Sequence, residues 1–537
     1  MNAELLLQHF DRISEAPDAV SRLRKFILDL AVQGKLVEQE DPDTEYSGRD
    51  HCGAELPFPY PAGWKLLRLT DVTKVSYGFA FPSQSFNSEK RGLPLIRIRD
   101  ISKKDTEAYY DGVYDSEYVV SPGDYLVGMD GNFNLRRWRG PIALLNQRVM
   151  RLKDWSEEVL GSYIAIPLQM VLDQLHGVTS QTTVKHLSAK QVRKIVIPVP
   201  PLSEQHRIVA QVDELMALCD ELEAAQAKRE NRRDRLVAAT LHGLNNGDTD
   251  SENGKTLPFS ESARFYLDHV SKLTTRPEHI RQLRETILNL AVRGKLLEQD
   301  PNDEPAALLF ERISRRKEMF GASGGMNSAD TEPVPFAVPK SWMWVRWDQI
   351  AQQIGDIDHK MPDAVSQGIP YVSPRDFLPN NGINFEGAKK IAEGDFRRLS
   401  AKIRPEQGDL IYPRYGTIGE NRVVTIDRPF LASYSCAVIK VMRDYIDPWY
   451  QYYFSISDVA AEQAMHAVNK ATQPNVGIRS IKRFWFPLPP LTEQKHIVSK
   501  VNELMSVCKD LDQQIAAGQL VSKNLMESLL DKAYVQE

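Results

Sequence analysis

The sequence predicts an α+β chain in which two diverged α/β segments are framed by helices that each occur twice. Three observations carry that reading. Residues 23–39, LRKFILDLAVQGKLVEQ, return at 283–299 as LRETILNLAVRGKLLEQ, with 12 of 17 positions identical. Residues 198–222, PVPPLSEQHRIVAQVDELMALCDEL, return at 487–511 as PLPPLTEQKHIVSKVNELMSVCKDL, with 14 of 25 identical. Between these matched flanks lie two stretches that differ widely in sequence yet keep the same order of short β-type runs. Such a constant–variable–constant–variable chain implies a fixed frame holding two independent modules.

Each element has its own warrant. In the N-terminal helical region, 1–45, Leu23, Ile27, Leu30 and Ala31 share one helix face, and Gly34 ends the helix or permits close packing. The copy repeats this with Leu283, Ile287, Leu290, Ala291 and Gly294. In the second repeat, Pro200-Pro201 and Pro489-Pro490 bar a helix from extending backwards, and Ser203 and Thr492 are the expected N-caps. Beyond them Ile208, Val212, Leu215, Cys219 and Leu222 alternate in steps of four and three, as do Ile497, Val501, Leu504, Cys508 and Leu511. That is the spacing of a coiled-coil seam. The central region, 201–319, thus reads as a long helix over 203–244, a polar linker at 245–258 and the helical repeat at 262–300. A second linker falls at 320–335, and a final helix occupies 490–537.

The variable segments, 50–200 and 335–489, contain β-type runs bounded by Gly, Pro and Asp. LPLIRIRDI (93–101), YVVSPGDYLVGM (118–129) and NQRVMRLKD (146–154) have counterparts in IPYVSPRDF (369–377), RPEQGDLIYPRYG (404–416) and SCAVIKVMRD (435–444). Arg99-Asp100 aligns with Arg375-Asp376, and Gly123-Asp124 with Gly408-Asp409. Both segments therefore read as one α/β fold with different surfaces.

At 537 residues the chain has room for three to four domains. No run reaches the ~18 apolar residues of a membrane span. The start, MNAELLLQHF, lacks the basic patch of an export signal. Cys52, Cys219, Cys436 and Cys508 never form a CxxC pair, which argues against zinc and against a disulfide framework, and points to a reducing cytoplasmic home. The formal charge of −5 is unevenly spread. Residues 50–200 hold 19 basic against 16 acidic side chains, and 335–490 the same numbers, leaving 29 basic against 40 acidic in the frame. Two mildly basic modules on an acidic frame suit contact with a polyanion at the modules alone.

These residues resemble the specificity subunit of type I restriction–modification systems, over nearly the whole chain. The motifs are the proline–Trp openings PYPAGW (59–64) and AVPKSW (337–342), the turns YGFAFPS (77–83) and GDIDHKMP (355–362), a strand ending in Arg-Asp, a Gly-Asp strand, and PPLxEQ before a long helix. One PPLxEQ is a weak signal; two, each between an α/β segment and a heptad helix, are a strong one. The resemblance implies two target-recognition domains joined by long helices that form an antiparallel coiled coil with pseudo-twofold symmetry. It implies a non-catalytic subunit bound to double-stranded DNA, each domain reading half of a split target. It further implies two methyltransferase subunits and restriction/translocase subunits as partners. S-adenosylmethionine, ATP and Mg²⁺ would belong to those partners, none to this chain, in a nucleoid-associated bacterial or archaeal assembly.

Candidate DNA contacts follow from side-chain chemistry. GNFNLRRWRG (131–140) offers Asn134, Arg136, Arg137 and Arg139 on a Gly-bounded loop, suited to phosphate and to base edges, Arg to guanine and Asn to adenine. The aligned RYGTIGENR (414–422) offers Arg414, Tyr415, Asn421 and Arg422. Arg97, Arg99, Arg375, Arg193-Lys194 and Lys482-Arg483 read as phosphate clamps. The competing account is that these are ordinary solvated side chains. His359 is a further candidate of that ambiguous kind. No catalytic or metal set emerges: GKT at 254–256 lacks its P-loop glycine, Pro17-Asp18 with Gln33-Gly34-Lys35 matches a nuclease pattern by coincidence, and both PP pairs continue into Leu rather than Tyr. Two alternatives stay open: a specificity subunit of a related phage-defence methyltransferase assembly, and a coiled-coil scaffold without sequence specificity. A catalytic enzyme fused to a DNA-binding module is a third, disfavoured for want of a cofactor loop.

Overall fold

The computed structural model describes residues 18–38, 60–61, 63–178, 185–250, 259–319, 332–469 and 475–535. Most of the 1–45 region beyond its helix, Pro17, Cys52, the GKT at 254–256 and most of both linkers lie outside these residues. The chain forms two compact units, Met1–Arg229 with Gln519–Glu537, and Glu230–Gly518.

In the first unit the order is α1 (Ala19–Val32), β1 (Lys65–Arg68), β2 (Lys74–Tyr77), β3 (Leu93–Ile96), β4 (Tyr125–Gly128), β5 (Leu135–Arg137), β6 (Ala143–Leu145), β7 (Val149–Lys153), α2 (Gly161–Val178), β8 (Val196–Val199) and α3 (Leu202–Asp250). Strands β2-β7-β4-β5 form one antiparallel sheet, and β3 runs parallel to β6 in another. Both faces of its two central strands, β4 and β7, are buried, so their alternating side chains feed two cores. Tyr125, Val127, Met150 and Leu152 join the helices, whereas Leu126 and Val149 join Ile96, Trp138 and Ala143 in an outer core.

The second unit repeats this plan. Its elements are α4 (Phe259–Leu273), α5 (Pro277–Val292), β9 (Met343–Arg346), β10 (Ala351–Gly355), β11 (Ile369–Val372), β12 (Leu410–Pro413), β13 (Arg422–Val423), β14 (Leu431–Ala432), β15 (Cys436–Val441), α6 (Pro448–Ser455), β16 (Trp485–Leu488) and α7 (Leu491–Val535). The central sheet is β10-β15-β12-β13, and β11 runs parallel to β14. Leu410, Tyr412 and Ile439 face the helices, while Ile411 and Val438 face an outer core with Tyr371 and Phe430.

The motifs that mark the domain ends act as clasps. Each α/β domain is closed by its first and last strands, β1 with β8 and β9 with β16, paired antiparallel. The glutamine of PPLxEQ is fully buried and ties the helix start to the body of the domain. Gln205 donates through Nε2 to the carbonyls of Glu158 and Pro200, and its Oε1 accepts from the Leu160 amide at 2.8 Å. Gln494 does the same to Tyr445, Pro489 and the Asp447 amide. The hydroxyls of Tyr163 and Tyr450 donate to the carbonyls of Pro198 and Pro487, at 2.9 and 2.8 Å. In the second unit the motif's glutamate completes the clasp: Glu493 accepts from the Trp342 indole at 2.8 Å and from Gln299 at 2.7 Å. Burial pushes the Glu493 carboxyl above the ordinary glutamate range, against the pull of those two donors. Ser203 and Thr492 lie inside the first helical turns, which begin at Leu202 and Leu491, so they are not the N-caps.

The heptad stripes are real, and their partner within each unit is the short repeat helix. Ile208, Val212 and Cys219 are buried with Val20, Ile27 and Ala31 of α1, and Leu215 and Leu222 pack at the margin. Arg24 of α1 reaches Asp220 and Glu223 of α3 at 2.5 and 2.7 Å. In the second unit Ile497, Val501 and Cys508 pack with Ile280, Ile287 and Ala291 of α5, with Leu504 and Leu511 beside them, and Arg284 reaches Asp512 at 3.1 Å. Spacing reports an apolar stripe but not what lies opposite it. Gly34 and Gly294, at φ +67° and +69°, end the two short helices in a conformation that favours glycine. A Cβ on Gly294 would stand 2.4 Å from Pro339.

The long helices divide their residues between the units. Val237, Leu241 and Leu244 of α3 pack with Tyr266 and Leu273 of α4 in the second unit. Met526 and Leu529 of α7 pack with Ala19 in the first, where Arg22 pairs with Glu527 at 2.8 Å. Helix α3 runs on to Asp250, through the start of the segment expected to be a linker. Asn245, Asn246 and Gly247 are weak helix formers, but a formed helix tolerates a glycine at about 1 kcal/mol.

Candidate nucleic-acid interface

In both domains the loops that leave the central sheet at one edge are stitched by the same hydrogen bonds. In the first domain the Asn146 amide donates to Ile96 O, Met129 N to Arg148 O, and Leu187 N to Met129 O at 2.7 Å. In the second, Ser433 N donates to Val372 O, Arg414 N to Ser435 O, and Val476 N to Arg414 O at 3.0 Å. Gly131 and Gly416, at φ +69° and +71°, turn the loop after the Gly-Asp strand in each. Isolated bridges join Asp130 to His186 and Tyr415 to Asn475. One frame is thus built twice, with different side chains on it.

Within that frame the Arg-Asp motif divides its labour. Asp100 is buried and accepts from the Arg97 amide, and Asp376 accepts from the Ser373 amide at 2.7 Å, each closing a 3₁₀ turn. Arg99 and Arg375 stand at the exposed crest of those turns, without an acidic partner among the described residues. They are the same residue at the same place in two domains. Arg97, expected as a clamp, is instead held by Asp100 at 3.0 Å.

Of the expected contacts on the loop after β12, Arg414 and Asn421 are interior, and Tyr415 and Arg422 are half-buried. Arg414 is 6% exposed, ion-paired with Asp356 and bonded to the Val476 carbonyl at 2.9 Å. Asn421 is 0% exposed and donates to both oxygens of Ser455 at 2.9 Å. Arg422 lies over the Phe377 ring and donates to the carbonyls of Gly382, Leu378 and Asn421. The pattern of Arg and Asn after a strand is the same for base reading as for tying a loop to the core. Tyr415 stays half-buried at the edge, beside Tyr434 with ring centroids 6.5 Å apart. Lys482 pairs with Asp348 at 3.3 Å and Arg483 with Glu332, which offsets their charge.

In the first domain the expected loop at 131–140 is half strand. Phe133, Leu135 and Trp138 are buried, so the tryptophan is a core residue. Asn134, Arg136, Arg137 and Arg139 are exposed. Strand β5 runs away from the loop edge, however, and brings Arg137 beside Gly123 at the opposite end of β4. Arginines on an exposed edge strand also deter pairing with other chains. Arg193 and Lys194 are exposed behind the turn Ala189–Val192 and have no acidic partner among the described residues.

The structure adds residues at the loop edge that the sequence reading passed over. Arg148 lies 3.4 Å from Asp130, whose other oxygen is 2.6 Å from His186 Nδ1. Gln147 and Lys190 are exposed there, as is Phe79, stacked on Tyr118 at 5.1 Å. In the second domain Tyr434, Asn475 and Arg479 hold the corresponding places, and His359 lies 5.4 Å from the Tyr434 ring. Aligning MDG (129–131) with RYG (414–416) pairs Asp130 with Tyr415, but nothing local in the sequence marks the others. Among the described residues no group of three or more His, Cys, Asp or Glu is placed to hold a metal ion, and no helix is long and apolar enough to cross a membrane.

Two like domains each offer a loop-built edge crowned by an arginine. The family model for the type I restriction modification DNA specificity domain matches residues 61–230 and 339–518, and the chain belongs to that family. The type I restriction enzyme EcoBI specificity subunit of Escherichia coli is 25% identical over 478 residues, spanning 88% of this chain and 85% of its own. The EcoAI specificity subunit of Escherichia coli is 24% identical over 591 residues, spanning 96% and 94%. Among solved structures, the HsdS subunit from Thermoanaerobacter tengcongensis aligns with a TM-score of 0.42 at 16% identity, covering 89% of this chain and 98% of that one. A chain from a study of the assembly and conformational transition of the type I R-M system aligns at 0.46 and 17%, covering 89% and 99%.

Proposed function

We propose that this chain is the DNA-recognition subunit of a type I restriction–modification assembly, with each α/β domain laying its loop edge on one half of a split target. The observation that carries this reading is the duplicated edge: one hydrogen-bonded frame, built twice, presenting Arg99 and Arg375 in the same position. Two readers of a few base pairs each gain affinity through effective concentration when both sites are met at once. Single readers discriminate weakly, since a wrong base pair costs ~1–3 kcal/mol.

In this reading the chain itself does no chemistry. Methyltransferase and restriction/translocase subunits bring S-adenosylmethionine, ATP and Mg²⁺, and the assembly works in the cytoplasm on chromosomal and incoming DNA. Purified chain incubated with all three cofactors should leave DNA uncut and unmethylated. Turnover that tracks a homogeneous preparation would overturn the non-catalytic part.

Arg99 and Arg375 fit phosphate contact, because an identical residue at an identical place carries no information that differs between half-sites. Charge reversal at either should weaken binding about equally across sequences. Each should reduce the slope of log affinity against log salt by about one. Salt titrations of Arg99→Glu and Arg375→Glu against the wild type test this; an unchanged slope in both variants would remove the loop edge from the DNA.

A further inference from the structure

We infer that the residues which discriminate between target sequences are those that fill the shared loop frame differently in the two domains: Asp130, Arg148 and His186 in the first, Tyr415, Tyr434 and Asn475 in the second. The inference rests on the proposed DNA-recognition role and assigns its specificity to named side chains.

The correspondence comes from backbone hydrogen bonds rather than from sequence similarity. Met129 and Arg414 are bonded in the same way, so Asp130 answers to Tyr415. Leu187 and Val476 are bonded in the same way, so His186 answers to Asn475. Asn146 and Ser433 donate to equivalent strand ends, so Gln147 answers to Tyr434 and Arg148 to Ser435. Around these positions the frame is constant, down to the glycine turns and the crest arginines. A rigid frame that holds varied side chains at its exposed rim is what discrimination needs, because positioning is then independent of identity.

The two sets have different chemistry. In the first domain the Asp130 carboxylate can only accept, so His186 Nδ1 carries the hydrogen in their 2.6 Å contact and the ring is oriented by it. The same carboxylate steadies the Arg148 guanidinium from 3.4 Å. A guanidinium is the side chain that matches the two acceptors on a guanine edge. In the second domain Asn475 is half-buried at the same position, its backbone bridged to that of Tyr415, whose ring lies 6.5 Å from that of Tyr434. A carboxamide matches the donor–acceptor pair of adenine. The first domain is therefore assigned a guanine contact through Arg148, and the second an adenine contact through Asn475.

The test uses the full chain assembled with its methyltransferase subunits and a duplex library randomised at each target position. Arg148→Ala and His186→Asn should each keep the wild-type melting temperature, since both residues are exposed. Arg148→Ala should relax a guanine preference at one position of one half-site by about tenfold or more. Asn475→Ala should relax an adenine preference in the other half-site only. The crest variant Arg99→Glu, run in parallel, reports on DNA contact itself. If Arg99→Glu weakens binding while Arg148→Ala, His186→Asn and Asn475→Ala keep every preference intact, the inference is wrong and the DNA-recognition reading stands. If none of the four changes binding or preference, both fall.

Discussion

Replacing Arg414 by alanine should destabilise the second unit by about 3 kcal/mol without redirecting sequence preference. Its guanidinium is buried against Asp356 and the Val476 carbonyl, at the point where the loop after β12 meets the segment that begins at Asn475. Removing it leaves the 12%-exposed Asp356 carboxylate with Lys402 and His359 as its remaining basic neighbours among the described residues, at 3.6 and 3.5 Å. A carboxylate left in that position costs several times what an exposed pair would contribute. Chemical denaturation of Arg414→Ala beside Arg375→Ala separates the two roles. The crest arginine should change stability by no more than about 0.5 kcal/mol, as surface substitutions do. A stable Arg414→Ala with altered sequence preference would instead make Arg414 a base contact.

Replacing Gln494 by alanine should destabilise the second unit by about 3 kcal/mol, and Gln205→Ala the first by a similar amount. Each amide satisfies one buried backbone N–H and two carbonyls, and orphaned buried groups cost about 1–3 kcal/mol apiece with partial relief from water. Glutamate is no substitute, because the carbonyls of Tyr445 and Pro489 need a donor. Limited proteolysis should show earlier cleavage around 445–449 in Gln494→Ala. Wild-type melting and cleavage would mean that the PPLxEQ glutamine is not the clasp described.

The duplication and the helical stripes were legible in the sequence because both are periodic. Repeated strings need no knowledge of what they touch, and steps of four and three at Ile208–Leu222 state that one face is apolar. Two features were not legible, for physical reasons. A stripe does not name its partner, so the packing of Ile208 and Val212 on the short helix α1 had to come from the structure. Polar residues after a strand do not reveal their side, so Arg414 and Asn421 read as exposed contacts although their hydrogen bonds point inward. Trp138 misled in the same way, its indole donating to the Pro141 carbonyl from within the outer core. Arg99 and Arg375 were expected at the surface, and both are exposed on turns closed by Asp100 and Asp376. Arg148 and His186 were missed because their roles depend on Asp130, 18 and 56 residues away in sequence.

The central claim is that the two α/β domains act as independent readers on a common frame. Exchanging residues 335–489 for the corresponding segment of another family member, and mapping N6-methyladenine across the genome of cells that also carry the methyltransferase subunits, tests it most directly. The exchange boundaries fall just before β9 and just after β16, so the paired closing strands move together, while Glu493 and Gln494 stay with the recipient's long helix. The expected result is a methylated sequence in which one half changes and the other is retained base for base. Altered bases in both halves would contradict it.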